Sequence, residues 1–192
     1  MQLIEVDTAL LQLSALQSSK GVKTANASYR GGPCDFLLHD SEWFAAPFGA
    51  SAYQDPTATR LTMELDVTNS SVLPALQVMD AWVVQYVIKN GVFESLSAEE
   101  VARMYHSCLQ TSEKYSTIRL RTKLNTAGLH ACQFFKSPEK TPVDFKSVDL
   151  KASRLRPVIR FKGIWKQIGM WGLSFEVLKA LVDTEGTTSW DF

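Results

Sequence analysis

Three cations stand two residues apart in the segment STIRLRTKLN at 116–125: Arg119, Arg121 and Lys123. Alternate side chains of an extended chain point to the same side. The spacing therefore predicts a strand with Ile118, Leu120 and Leu124 on one face and three positive charges on the other. A second run, RPVIRFKGIWKQ at 156–167, sets Ile159, Phe161, Gly163 and Trp165 against Arg160, Lys162 and Lys166. Cations at strand spacing can follow successive phosphates, and flat rings between them can stack on bases. Rings are interleaved here: Phe134 and Phe135 beside Lys136, Phe161 between Arg160 and Lys162, Trp165 beside Lys166, and Trp171. Large aromatics also fill cores, and about half of these rings, Phe161 and Trp165 first, are expected inside. Of the adjacent Phe134 and Phe135, one must face away from the core. The candidate nucleic-acid contacts are thus Arg119, Arg121, Lys123, Phe134, Phe135, Lys136, Arg160, Phe161, Lys162, Trp165, Lys166 and Trp171.

The charge distribution points the same way. The chain has 20 basic and 20 acidic residues among 192, but residues 1–100 hold 5 basic and 12 acidic, a net of −7. Residues 101–180 hold 15 basic and 5 acidic, a net of +10, and the last twelve carry only the acids Asp183, Glu185 and Asp191. A basic block favours a polyanionic partner, because each phosphate neutralised releases counterions. A solvated lysine-rich face is the alternative.

Catalytic signatures are missing. There is no G-x-x-x-x-G-K-[ST] phosphate loop, no G-x-G-x-x-G, no H-E-x-x-H and no G-x-S-x-G elbow. His106-Ser107-Cys108 and His130-Ala131-Cys132 repeat an H-x-C pattern whose four ligands would suit tetrahedral zinc. The first pair falls in a predicted helix, where residues i and i+2 point about 200° apart. No metal, cofactor or catalytic residue is expected. Three cysteines, an odd number, fit reduced thiols inside a cell. Neither a basic leader nor an apolar run of roughly 18 residues is present, so no membrane association is expected.

The elements that must position these residues follow from periodicity. TRLTMELDV at 59–67 alternates strictly, with Leu61, Met63, Leu65 and Val67 on one face, and predicts a half-buried strand. Between 73 and 89, Leu73, Leu76, Met79, Val83 and Val87 recur at helical spacing, Pro74 suits the first turn, and Asn90-Gly91 supplies the stop. Ser97-Ala98-Glu99-Glu100 is a capping box that predicts a second helix running on through Cys108. The last long runs form a hairpin turning near Gly169. Strands, a helical segment and more strands predict an α+β, mainly β class. The expected form is an OB-fold-like β-barrel with a helical segment, about 72–112, inserted between strands. One domain over 1–182 and a short acidic, aromatic tail over 183–192 complete the expected organisation.

Three segments carry a resemblance: LQVMDAWVVQYVIKNGVFESLSAEEVARMYHSCL, KYSTIRLRTKLN, and RPVIRFKGIWKQIGMWGLSFEVLKALV closing with SWDF. The pattern G-x-W…G-L-S-x-x-V falls on Gly163, Trp165, Gly172, Leu173, Ser174 and Val177. In these segments the chain resembles the single-stranded DNA-binding proteins of bacteriophages and large DNA viruses, which have an OB fold and often an acidic tail ending in Phe. The resemblance implies sequence-independent binding and protection of single-stranded intermediates in replication or recombination, in the nucleus or cytoplasm of a cell. It implies single-stranded DNA as the partner, with RNA left open, and a homodimer as one assembly. It also implies that Asp183, Glu185, Trp190, Asp191 and Phe192 contact replication proteins. The alternative class is a structural or protein-interaction domain of the viral assembly type, self-associating through its acidic and basic halves.

Overall fold

The computed structural model describes residues 1–52, 55 and 57–183. Short strands come first: β1 (Leu11–Leu13), β2 (Gln17–Ser19), β3 (Val22–Tyr29), β4 (Asp35–Leu37), β5 (Phe44–Ala45) and β6 (Ala50–Ser51). Then follow β7 (Arg60–Asp66), the helices α1 (Leu73–Lys89) and α2 (Ala98–Arg103), β8 (Tyr105–His106), β9 (Leu109–Ser112) and β10 (Thr117–Asn125). The chain continues with β11 (Gln133–Lys136), β12 (Thr141–Val143), β13 (Arg154–Gln167) and β14 (Met170–Asp183). The fold is α+β, mainly β and OB-fold-like, with the helices inserted between two antiparallel neighbours, β7 and β10.

The hairpin of β13 and β14 is the frame, and its two strands pair along their length. The backbone of the sheet runs β1-β3-β13-β14-β10-β7-β6. β14 lies parallel to β10, with Lys123 beside Glu176. β10 is antiparallel to β7, which sets Arg121 opposite Glu64, Lys123 opposite Thr62 and Asn125 opposite Arg60. On the other side β3 pairs with β13, bringing Asn26 to Gly163 and Thr24 to Trp165.

The helix α1 covers the apolar side of the sheet through Leu76, Met79, Val83 and Val87, all buried. Trp82 meets the edge of Phe161 at 6.4 Å between ring centroids, and Phe161 packs on Phe175 at 5.3 Å. No side chain of α1 caps its own start. Glu42, from a distant loop, holds the two residues Ser70 and Ser71 ahead of the helix, accepting from the Ser71 amide at 3.1 Å and from the Ser70 hydroxyl. No helix of the described residues is long and apolar enough to cross a membrane. All three cysteines are free and buried.

Two expectations need correction. The helical segment stops at Arg103 and does not reach 108 or 112, although the Ser97–Glu100 capping box forms as read. The reason is tertiary pairing: the Met104 carbonyl accepts from the Trp171 amide at 3.0 Å, and Tyr105–His106 then run parallel to β14. Strand geometry outcompetes helix continuation where a sheet neighbour offers partners.

The second correction concerns Trp165. Ile159 and Phe161 face the core as the alternation requires, but the register slips between Phe161 and Gly163, leaving Lys162 as the extra residue of a β-bulge. A one-residue slip moves every later side chain to the opposite face. Ile164 therefore enters the core at 2% exposure, while Trp165 is only half-buried.

Gly163 is what the bulge demands. Its φ of +118° lies outside the range of L side chains, and a Cβ there would stand 1.9 Å from the Ala25 carbonyl oxygen. Gly163→Ala is expected to cost at least ~2 kcal/mol of stability, since strain and a backbone clash add. Urea denaturation measures it; a loss within error of zero would show that the bulge is not fixed by this glycine.

Candidate nucleic-acid interface

A groove of about 840 Å³ opens where β3, β7, β10, β13, β14 and the segment from His106 to Gln110 meet. Four of its lining residues are cations from three distant stretches: Arg60, Arg121, Lys123 and Lys162. The ladder explains the convergence. Lys123 sits between Thr62 of β7 and Glu176 of β14, two residues along from Arg121, while Arg60 stands opposite Asn125. Among the described residues, Arg60 and Arg121 make no ion pair and both are exposed.

Lys123 is held in place, its ammonium donating to Thr62 Oγ1 at 2.6 Å. Burial, and then the charges of Arg121 and Arg60, hold its pKa below the usual lysine value. An anion in the groove would relieve both neighbouring charges. Trp165 supplies the ring. Its indole N–H donates to the Leu173 carbonyl at 3.1 Å, and the ring lies over Gly172, where a Cβ would press on it at 3.2 Å. Neutral donors and acceptors complete the lining: Thr24, Asn26, Gln110 and Ser174.

The remaining candidates are placed elsewhere. Arg119 shares the outer face of β10 but is drawn against Glu64 at 3.4 Å and over the Phe48 ring at 4.7 Å, with its side chain only 13% exposed. Arg160 forms a two-pronged pair with Asp35, at 2.5 and 2.7 Å. That hydrogen bonding raises its pKa further. Lys166 lies on the other side of the hairpin from Trp165, over the ring of Phe93 at 4.5 Å. Burial and the neighbouring Lys23 lower its pKa.

Phe161 and Trp171 are core residues, at 1% and 0% exposure. Trp171 packs between Phe93 and Tyr105 and donates its indole N–H to the Val101 carbonyl. Phe134 is buried and Phe135 half-buried, so the pair splits across its strand as adjacent residues must. With the exposed Lys136 they lie on β11, which pairs with Lys179–Val182, the end of β14 remote from the groove. Asp183 closes β14 and pairs with Arg154 at 3.4 Å. Glu185, Trp190, Asp191 and Phe192 lie outside the described residues.

Sequence reasoning missed Arg60 and Asn26 of the lining and Glu176 beside it, and read His106 only as part of a metal pattern. Arg60 stands on the polar face of a recognised strand, but only the pairing of β7 with β10 brings it to the groove. For Glu176 a signal existed: one acid between Phe175 and Val177 in an otherwise apolar run.

The wall of the groove at Ser107 and Cys108 is built for structure. Asp80 of α1 accepts from the Tyr105 hydroxyl at 2.5 Å, from the Ser107 hydroxyl, and from the Cys108 thiol at 3.4 Å. Burial and then Asp80 push the Cys108 thiol well above its ordinary value, so it holds its proton. His106 ends the short strand β8, not the expected helix, and Cys108 lies in the bend between β8 and β9, with His106 exposed and Cys108 buried. No group of three or more His, Cys, Asp or Glu among the described residues could hold a metal ion.

No protein-family model matches the chain, and no curated protein matches it. Among solved structures, it is similar to the single-stranded DNA-binding protein from bacteriophage Enc34 in complex with ssDNA. There the TM-score is 0.49 at 11% identity, over 88% of this chain and 94% of that chain. A C-terminal truncation of the Enc34 protein gives 0.48 at 9% identity, over 88% and 93%. A further structure of that protein gives 0.47 at 12%, over 88% of both chains.

The lowered pKa of Lys123 has a defined sign. Between its value in the fold and the ordinary 10.5, the unfolded chain holds more protons than the folded one, so stability rises with pH across that interval. The chain should therefore gain stability relative to Lys123→Met as pH climbs towards 10.5. Urea midpoints of the two proteins at stepped pH measure the difference; a difference that stays constant would refute the perturbed lysine.

Proposed function

We propose that this chain is a non-enzymatic binder of single-stranded nucleic acid, independent of sequence, that protects single-stranded intermediates in replication or recombination. One observation carries the reading: Arg60, Arg121, Lys123 and Lys162, far apart in sequence, line a single groove together with the half-buried ring of Trp165. Exposed guanidinium and ammonium groups on a rigid sheet suit phosphates, and one tryptophan edge-bonded to the backbone offers a platform for a base. The Ser107 hydroxyl and the Cys108 thiol in the groove wall both donate to Asp80, which supports the non-enzymatic reading. Single-stranded DNA is the expected ligand, with replication proteins reached through residues 183–192 and a homodimer as further parts of the proposal.

The cations that count are fewer than the sequence suggests. Arg119 and Arg160 have carboxylate partners, and Lys166 faces the other way. Three cations without a carboxylate, Arg60, Arg121 and Lys123, give an expected slope of log K against log[salt] near −2, from about −0.7 per phosphate on single strands.

Titration of a labelled oligothymidylate at several salt concentrations tests this, and a flat response would end the proposal. Arg121→Ala with Lys123→Ala should make the slope shallower by about 1.4. Arg160→Ala should leave the slope unchanged. Trp165→Ala should weaken binding by about 1–3 kcal/mol at every salt concentration, the range for one stacked base. Salt-sensitive self-association on light scattering, without oligonucleotide binding, would favour the assembly-type reading instead.

A further inference from the structure

Beside the cationic groove, next to Lys123 and Lys162, lies a carboxylate. Glu176 of β14 is only 8% exposed at its side chain and faces the cations. One carboxylate oxygen accepts from Asn125 Nδ2 at 2.5 Å, and the other stands 3.6 Å from the Lys162 ammonium. The ladder fixes it there, beside Lys123 on one side and opposite Arg160 on the other. Arg160 is already matched by Asp35, and Lys123 donates to Thr62. Lys162 is thus the groove cation to which Glu176 is paired. A buried acid beneath a phosphate track opposes any incoming anion, so its presence needs a physical role.

From this arrangement, and resting on the function proposed above, we infer that Glu176 is a built-in counterion that occupies Lys162 in place of a phosphate. It sets the number of phosphates the groove neutralises at three, although four cations line it. In the free protein the carboxylate offsets repulsion among Arg60, Arg121, Lys123 and Lys162, which would otherwise gather solution anions. When nucleic acid enters, the Lys162–Glu176 pair is electrostatically silent: its charges cancel, and it releases no ion.

The salt dependence of oligothymidylate binding reads this directly. Glu176→Gln keeps an acceptor for Asn125 and leaves Lys162 uncompensated. Its slope should steepen by about 0.7 relative to the unchanged chain, with tighter binding at low salt. The double variant Lys162→Met with Glu176→Gln removes both charges and should return the slope to that of the unchanged chain. Glu176 is buried while Lys162 is 41% exposed at its side chain, and the double variant leaves no unpaired charge at the buried position, so this arm survives a poorly folded single variant. A Glu176→Gln slope equal to that of the unchanged chain would overturn the inference. So would a double variant shallower by about 0.7, since Lys162 would then be a phosphate contact in its own right. A flat response of the unchanged chain would instead refute the groove as a nucleic-acid site.

Discussion

The register slip at Lys162 is the constraint on which the groove depends. β13 starts as a strand whose odd-numbered residues build the core, but past the slip it is the even-numbered Ile164 that enters the core while Trp165 stays half-buried. Without the extra residue Trp165 would be a core ring and Ile164 a solvent-facing one. The slip is possible because Gly163 adopts a backbone conformation that a side chain would forbid, against the backbone of β3. One glycine thus couples three things: the register shift of the hairpin, the close approach of β3, and the delivery of an indole to a polar surface.

The electrostatics follow from pairing geometry. The polar face shared by β7, β10, β13 and β14 carries acids as well as bases, and the ladder decides which meet. Arg119 and Arg160 are taken by Glu64 and Asp35, while Arg121 and Lys123 are left facing the groove. The block of positive charge in the second half of the sequence is therefore only partly available. Several of its members serve the fold: Lys166 over Phe93, Arg156 over Trp43, and Arg154 with Asp183.

Much of the fold was legible because local signals agreed with tertiary ones. The strand around Leu61–Leu65, the helix from Leu73 to Lys89, the capping box at Ser97 and the hairpin turning at Gly169 all appear where periodicity and punctuation put them. What failed were features set by neighbours distant in sequence. The helix beginning at Ala98 ends early because β14 offers a strand partner to Tyr105. Trp165 leaves the core because a bulge shifts its phase. Of the candidate groove's lining, Arg121, Lys123 and Lys162 were legible, since strand alternation sets them on a polar face. Arg60 and Glu176 were not, since only register brings them beside Lys123. Nor could composition separate Arg119 from Arg121, because their difference lies in where Phe48 and Glu64 sit.

The groove's side chains are tethered before any ligand arrives. Lys123 is anchored on Thr62, the indole of Trp165 on the Leu173 carbonyl, and Glu176 on Asn125, each anchor lying on an adjoining strand or across the hairpin. Fixing rotamer-rich side chains during association commonly costs about 0.5–1.5 kcal/mol apiece. Here much of that ordering is completed during folding. Under the proposed function, the ordering that remains belongs to the incoming strand, whose own stiffness then separates one ligand from another.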